Sequence, residues 1–229
     1  MVRKVFVLGL PGSGKSTAIR LLDMFARDHR WAFTCLNDYD ILYEMFLKDT
    51  RGQFSPSRYG GFDVRDVSVY DTALLELEQK ALDLEQARTY KLIFIEFSRN
   101  DYCQALKLFT APFLQDAFFL FIRASIAVCK RRVQERVKHR QGEEDRDNHF
   151  FSEYIFDEYY QQDNGEYPIL RLNRQQDRNG QRYEISEANI QIVDNTTVTP
   201  KEFEVSLETA WNKIEQMVKF DHMLSIPSS

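Results

Sequence analysis

The sequence predicts an α/β domain, a three-layer sandwich around a central parallel sheet of five strands. Three observations carry that expectation. Five short apolar segments rich in β-branched and aromatic residues recur along the chain, at 4–10, 31–36, 91–97, 117–123 and 190–195. Longer stretches with helical spacing of apolar residues separate them, as crossovers between parallel strands require. The chemically interesting residues stand just after these segments, at the carboxyl ends of strands, where open α/β sheets bind their ligands.

Taken in order, "KVFVLGL" reads as a buried strand that runs into "PGSGK", and "STAIRLLDMFARDHR" follows as a helix. "WAFTCL" is the second strand, and "YDILYEMFL" a helix after it. Residues 48–66, "KDTRGQFSPSRYGGFDVRD", are crowded with turn formers and read as an ordered insertion or flap. In "VSVYDTALLELEQKALDLEQA" the apolar positions Leu74, Leu75, Leu77, Ala81, Leu82 and Leu84 follow a roughly helical period. "KLIFIEF" and "AFFLFIR" are the third and fourth strands, and "SIAVCKRRVQERVKHR" and "FFSEYIFDEYYQQ" the helices behind the fourth. Within 163–188, "RNGQ" between two short extended runs predicts a hairpin. "IQIVDN" is the fifth strand, and the last helix is well marked, with Thr199 as N-cap, Pro200 at its first position and Glu202 completing a capping box. No repeat or linker divides the chain. The expectation is one domain over 1–224 with insertions at 48–66 and 163–188, followed by a flexible tail at 225–229.

The bulk properties remove several classes of function. A formal net charge of −5 gives no general attraction to nucleic acid or to anionic membrane, although a local basic patch stays possible. The longest apolar run, "AFFLFI", is far short of the ~18 residues of a membrane span. The N-terminal apolar stretch passes straight into a turn and does not read as a secretory signal. Cys35, Cys103 and Cys129 are odd in number and far apart, which suggests reduced thiols in a cytoplasmic protein rather than a disulfide framework. His29, His139, His149 and His222 lack metal-ligand spacing.

The most specific signal is in the first turn. Gly9, Gly14, Lys15 and Ser16 fit G-x-x-x-x-G-K-[ST], with a strand before and a helix after. Glycines there let backbone N–H groups converge on an anion, and the helix N-terminus adds partial positive charge. A lysine at that spacing reaches the outer phosphates of a nucleoside triphosphate, and the serine hydroxyl can ligate Mg²⁺. On these residues the chain resembles the P-loop NTPase superfamily, and "LPGSGKST" is most similar to its branch of nucleotide, nucleoside and small-molecule kinases. The resemblance implies a strand order of 2-3-1-4-5, ATP and Mg²⁺ as cofactors, and a nucleotide site made of Gly9, Pro11, Gly12, Ser13, Gly14, Lys15, Ser16 and Thr17, with Lys15 also catalytic.

The same resemblance assigns roles further along. After the second strand, "CLNDYDIL" offers Asp38, and second to it Asp40, to accept the proton of a substrate hydroxyl or to help hold Mg²⁺; Asp38 could instead cap the following helix. After the third, "IEFSRN" places Glu96 where the superfamily has a carboxylate that orients Mg²⁺, alongside Ser16. Deoxynucleoside kinases carry Glu-Arg-Ser here; the order in this chain is Glu-Phe-Ser-Arg, so the match is partial. Arg99 is a candidate substrate ligand or, alternatively, a salt-bridge partner of Glu96. After the fourth strand, Arg132 and Arg136 are four apart and share a helix face. Nucleoside monophosphate kinases have such a pair, one arginine near the base and one near the phosphates, followed by a mobile lid that would be 139–148 here; a solvated basic face is the alternative. Asp194 and Asn195 open the loop that borders the adenine ring in these kinases. The guanine-reading string Asn-Lys-x-Asp is absent, which argues against a GTPase.

The function expected is phosphoryl transfer from ATP to a small molecule such as a nucleoside, a nucleotide or a related metabolite, with no membrane partner. A zeta-toxin-like or polynucleotide 5′-hydroxyl kinase is an alternative within kinases, the second made less attractive by the negative charge. An ATP-binding switch with slow or no turnover is the alternative outside them.

Overall fold

Strand β1 (Arg3–Leu8) lies at the centre of the sheet in the computed structural model, which describes residues 2–57, 61–138, 156, 159–160 and 175–224. Its parallel neighbours are β5 (Leu92–Phe97) and β6 (Phe118–Arg123); β2 (Phe33–Asn37) flanks β5, and β9 (Ile190–Asp194) flanks β6. The order β2-β5-β1-β6-β9 is 2-3-1-4-5 when the five sheet strands are counted along the chain, as the sequence led us to expect.

Alternation along β1 sorts its side chains into the two outer layers. Val5 and Val7 face α1 (Lys15–Asp28) and α7 (Pro200–Leu224), where they meet Ala18, Leu22, Leu207 and Ile214. Phe6 and Leu8 face the other layer, which holds α2 (Asp38–Leu47), α3 (Ser68–Ala87), α4 (Tyr102–Leu106) and α5 (Ala111–Gln115). Phe6 stacks on Phe119 at 4.9 Å and takes the edges of Phe97, Phe109 and Phe113. A smaller cluster of Leu10, Ala124, Cys129, Val133, Phe156 and Tyr160 packs α6 (Ile126–Lys138) onto the turn after β1.

Helix starts follow the residues that can cap them. Asn37, not Asp38, is the N-cap of α2, its side chain accepting the Asp40 N–H at 2.8 Å. Asp38 is thereby the first helical residue. The capping box of α7 forms as expected, with Thr199 N–H donating to Glu202 at 2.7 Å and Glu202 N–H to the Thr199 hydroxyl at 3.3 Å. Helix α1 begins at Gly14 with no side-chain cap, so its first N–H groups are not covered by one of its own side chains.

The two insertions behave differently. In 48–66, β3 (Phe54–Pro56) and β4 (Phe62–Val64) pair as an antiparallel hairpin. Its Phe62 stacks on Tyr39 and Phe46 of α2, at 5.3 and 5.4 Å. In 163–188 the described part begins at 175, where β7 (Gln175–Gln176) and β8 (Arg182–Tyr183) form the hairpin expected around "RNGQ". It docks on α3 and α5 through Arg178 to Glu78 at 2.7 Å and through Asp177, which accepts the Ala111 N–H at 2.9 Å. The lid expected at 139–148, the helix expected over 150–162 (apart from Phe156, Tyr159 and Tyr160) and the tail at 225–229 lie outside the described residues. Among the described residues, no helix is long and apolar enough to cross a membrane, and no disulfide joins any of the three cysteines.

Candidate active site

The turn between β1 and α1 is a cradle because it cannot be filled. Gly9, Gly12 and Gly14 all have positive φ. A Cβ on Gly12 would stand 2.6 Å from the Cys129 carbonyl and 3.1 Å from Val133 Cγ2, both on α6. A Cβ on Gly9 would meet the Ile122 carbonyl and Ser13 Oγ, and one on Gly14 the Asn195 amide. The turn thus has the chain wrapped closely around its outer side, with no room for a side chain at these three positions.

Lys15 lies across that hollow. Its ammonium donates to the carbonyls of Gly9 at 3.0 Å and Leu10 at 3.2 Å and to Ser98 Oγ at 2.7 Å, with Glu96 3.9 Å away. Burial pushes its pKa below the ordinary lysine value, against the opposing pull of Glu96 and Asp38. Tyr102, only 2% exposed, holds the Gly9 peptide from behind. Its hydroxyl accepts the Gly9 N–H at 2.8 Å and has the Gly9 and Phe97 carbonyls at 2.8 and 3.3 Å. Burial keeps that phenol protonated well above the ordinary tyrosine range.

A second group of side chains faces the cradle across the same pocket, whose lining includes Gly12, Lys15, Ser16, Asp38, Glu96, Arg99 and Arg136. Arg99, 4% exposed, donates from Nη1 to Asp38 Oδ2 and, at 2.7 Å, to the Ser98 carbonyl, and from Nη2 to the Tyr70 carbonyl at 2.8 Å. Its guanidinium also lies over the Tyr70 ring, 4.8 Å from the centroid. Burial works against that charge, but the adjacent Asp38 carboxylate, together with Tyr160 and Tyr159, leaves the guanidinium's pKa raised. Tyr160 reaches the Ser98 carbonyl with its hydroxyl at 3.3 Å.

Most residues singled out in the sequence therefore converge. Pro11, Gly12, Gly14, Lys15, Ser16, Asp38, Glu96, Arg99 and Arg136 line one pocket. Gly9 and Ser13 shape the turn, and Thr17 stands on the exposed side of α1, where it accepts from Arg20 at 3.2 Å. Where a Glu96–Arg99 pair was the alternative reading, the structure has Arg99 with Asp38 and Glu96 beside Lys15. Asp40 lies outside the pocket lining, in a reciprocal cap where its carboxylate accepts from Asn37 Nδ2 at 3.0 Å. Arg132 points to the turn itself, donating to the Asn195 carbonyl at 2.9 Å and to those of Gly12 and Ser13 at 3.4 Å. Asp194 accepts from Arg123 at 2.7 Å, which ties β9 to β6, and Asn195 Nδ2 donates to the Ser13 carbonyl at 2.7 Å, which holds the cradle at the end of β9. Sequence reasoning missed Ser98, Tyr102, Tyr70 and Tyr160. For the first two a signal existed, their place just past a strand's carboxyl end; Tyr70 and Tyr160 arrive from a helix and a distant loop with none.

No family model matches the chain, and no curated protein matches it. Solved structures do. A sugar kinase from Janibacter sp. HTCC2649 is 16% identical, with a TM-score of 0.50 over 94% of this chain and 95% of that one. The protein APE1195 is 17% identical, with a TM-score of 0.50 over 95% and 97%. The chain has a P-loop kinase-like fold. In such a fold the cradle, Lys15 and the carboxyl ends of β2 and β5 surround one cleft, which is where this pocket lies.

Proposed function

We propose that this protein is an ATP- and Mg²⁺-dependent phosphotransferase that acts on a small molecule. The observation that carries the reading is the meeting, in one pocket, of the glycine-walled cradle and Lys15 with the Asp38–Arg99 pair and Glu96. A cradle alone would serve any nucleotide-binding protein; a buried carboxylate opposite it gives a place for an acceptor.

In this reading the turn from Gly9 to Ser16 binds the phosphates of ATP through backbone N–H groups. Lys15 leaves the carbonyls of Gly9 and Leu10 and follows the β- and γ-phosphates. Ser16 and Glu96, both in the lining, are the side chains that would hold Mg²⁺, and that ion supplies neutralisation of phosphate charge. Asp38 receives the acceptor's proton, and Arg99 fixes the orientation of its carboxylate. Arg136, exposed on α6 and in the lining, adds a cation beside the transferred group.

The test is transfer. Purified protein is incubated with γ-labelled ATP, Mg²⁺ and pooled metabolites. Label should move to an acceptor with wild type and not with Asp38→Asn or Lys15→Ala. Nucleotide binding with no transfer to any acceptor would instead make the protein an ATP-binding switch.

A further inference from the structure

The chemistry around Asp38 narrows the acceptor. Arg99 is largely committed: Asp38, the Ser98 carbonyl and the Tyr70 carbonyl take three of the four protons on its terminal nitrogens. Its charge is matched by a carboxylate that is itself 9% exposed. A second carboxylate, Glu96, lines the same pocket. A phosphorylated acceptor would bring about two more negative charges toward these carboxylates. Arg99, the cation beside Asp38, already has an anionic partner, and prying that pair apart would leave Asp38 buried without it; Arg136, also in the lining, is the cation assigned above to the transferred group.

A hydroxyl suits the same surroundings. It is a small neutral group that both donates and accepts. Asp38 Oδ2 is taken by Arg99, which leaves Oδ1 for the acceptor's proton. Arg99 also lines the pocket, and its Nε–H, shielded from solvent, has no hydrogen-bond partner among the described residues. Tyr39, Tyr70, Leu42 and Phe97 supply apolar and aromatic surface in the same lining. Such walls suit the flat or apolar face of a ring.

We infer that the acceptor is an uncharged ring compound bearing a free hydroxyl, a sugar or nucleoside without phosphate, recognised by the Asp38–Arg99 pair. This rests on the phosphotransferase reading above. In the step, the acceptor O–H bond breaks and its proton passes to Asp38. The freed oxygen bonds to the γ-phosphorus, the bond from that phosphorus to the β–γ bridging oxygen breaks, and ADP leaves with the bond's electron pair.

The experiment uses the full chain, γ-labelled ATP and Mg²⁺ with matched pairs of acceptors: adenosine, thymidine, ribose and glucose, each against its monophosphate. Label should enter members of the unphosphorylated set and not their partners, and whether the nucleosides or the sugars carry it identifies the ring. Transfer to the monophosphates overturns the inference while leaving the phosphotransferase reading intact. Transfer to neither set overturns the inference, and the pooled-metabolite assay above then decides separately whether the phosphotransferase reading falls with it. On the acceptor found, Arg99→Lys should lower kcat/KM for that acceptor by at least about tenfold while the KM for ATP stays within about twofold. Equal losses toward both substrates would remove Arg99 from acceptor recognition. The matched-pair comparison needs no variant, so a misfolded Arg99→Lys leaves it decisive.

Discussion

The two halves of the pocket are built in opposite ways. The cradle is one unbroken stretch, Gly9 to Ser16, its shape set by glycines that leave no room for side chains. The opposing wall is made of side chains drawn from β5 and its following turn, from α2 and from α3, with Tyr160, and holds a buried ion pair. The first kind of site is cheap in residues and indifferent to what lies beyond the phosphate. The second is costly to assemble and selective, because each charge depends on its partner. Stability and binding should therefore separate between the halves.

The largest effect expected is on folding, from the wall. Arg99→Ala leaves Asp38 buried without its cation and should cost about 3–5 kcal/mol of stability, read from the denaturant midpoint. Replacing Asp38 as well should recover part of that loss, since the two residues act as a unit. A double variant no better than the single one would break the comparison. Next comes Lys15→Ala, where the loss belongs to binding: ATP affinity or turnover should fall by about 1.5–3 kcal/mol. The melting temperature should hold or rise, because burial disfavours that charge in the free protein. Tyr102→Phe joins both halves. Removing the hydroxyl leaves the Gly9 N–H unsatisfied and should cost about 1–2 kcal/mol, visible both in stability and in nucleotide affinity.

The smallest effect lies outside the pocket and calibrates the others. Glu202 is held below the usual carboxylate range by the Thr199 N–H and hydroxyl. A depressed folded-state value means that the cap contributes above the ordinary glutamate pKa and loses its contribution as pH falls through the lower folded one. Thr199→Ala should thus destabilise modestly at neutral pH, and the gap to wild type should close in acid. A gap that stays constant with pH would show that Glu202 takes no part.

How legible each half was follows from the same contrast. The sheet order and the cradle could be read because they depend on local pattern: apolar runs, glycine spacing, a capping box. The wall could be read only one residue at a time. Asp38, Glu96 and Arg99 were identifiable because each follows a strand, but their pairing was not, because which carboxylate meets Arg99 depends on how α2 enters from Asn37. Capping by Asn37 rather than Asp38 turns Asp38 toward the pocket, a difference of a single residue. Tyr70 and Tyr160 come from segments whose spacing carries no trace of the pocket. The insertions divide likewise. The turn formers of 48–66 promised an ordered insertion or flap and "RNGQ" in 163–188 a hairpin, yet only the structure tells their roles apart. The hairpin of 48–66 rests on α2 beside Tyr39, a lining residue, whereas no described residue of 175–188 lines the pocket.

The close approach of Gly12 to α6 constrains how this chain could change over generations. The obstacle to a side chain there is twofold, a methyl of Val133 and the carbonyl of Cys129. Drift can shorten Val133. It cannot remove a peptide oxygen, whatever residue occupies position 129. No compensating substitution elsewhere on the helix can therefore open the way to a larger residue at position 12. Descendants that keep α6 against the turn inherit the glycine with it, and a lineage that loses the glycine must have moved the helix that carries Arg132 and Arg136.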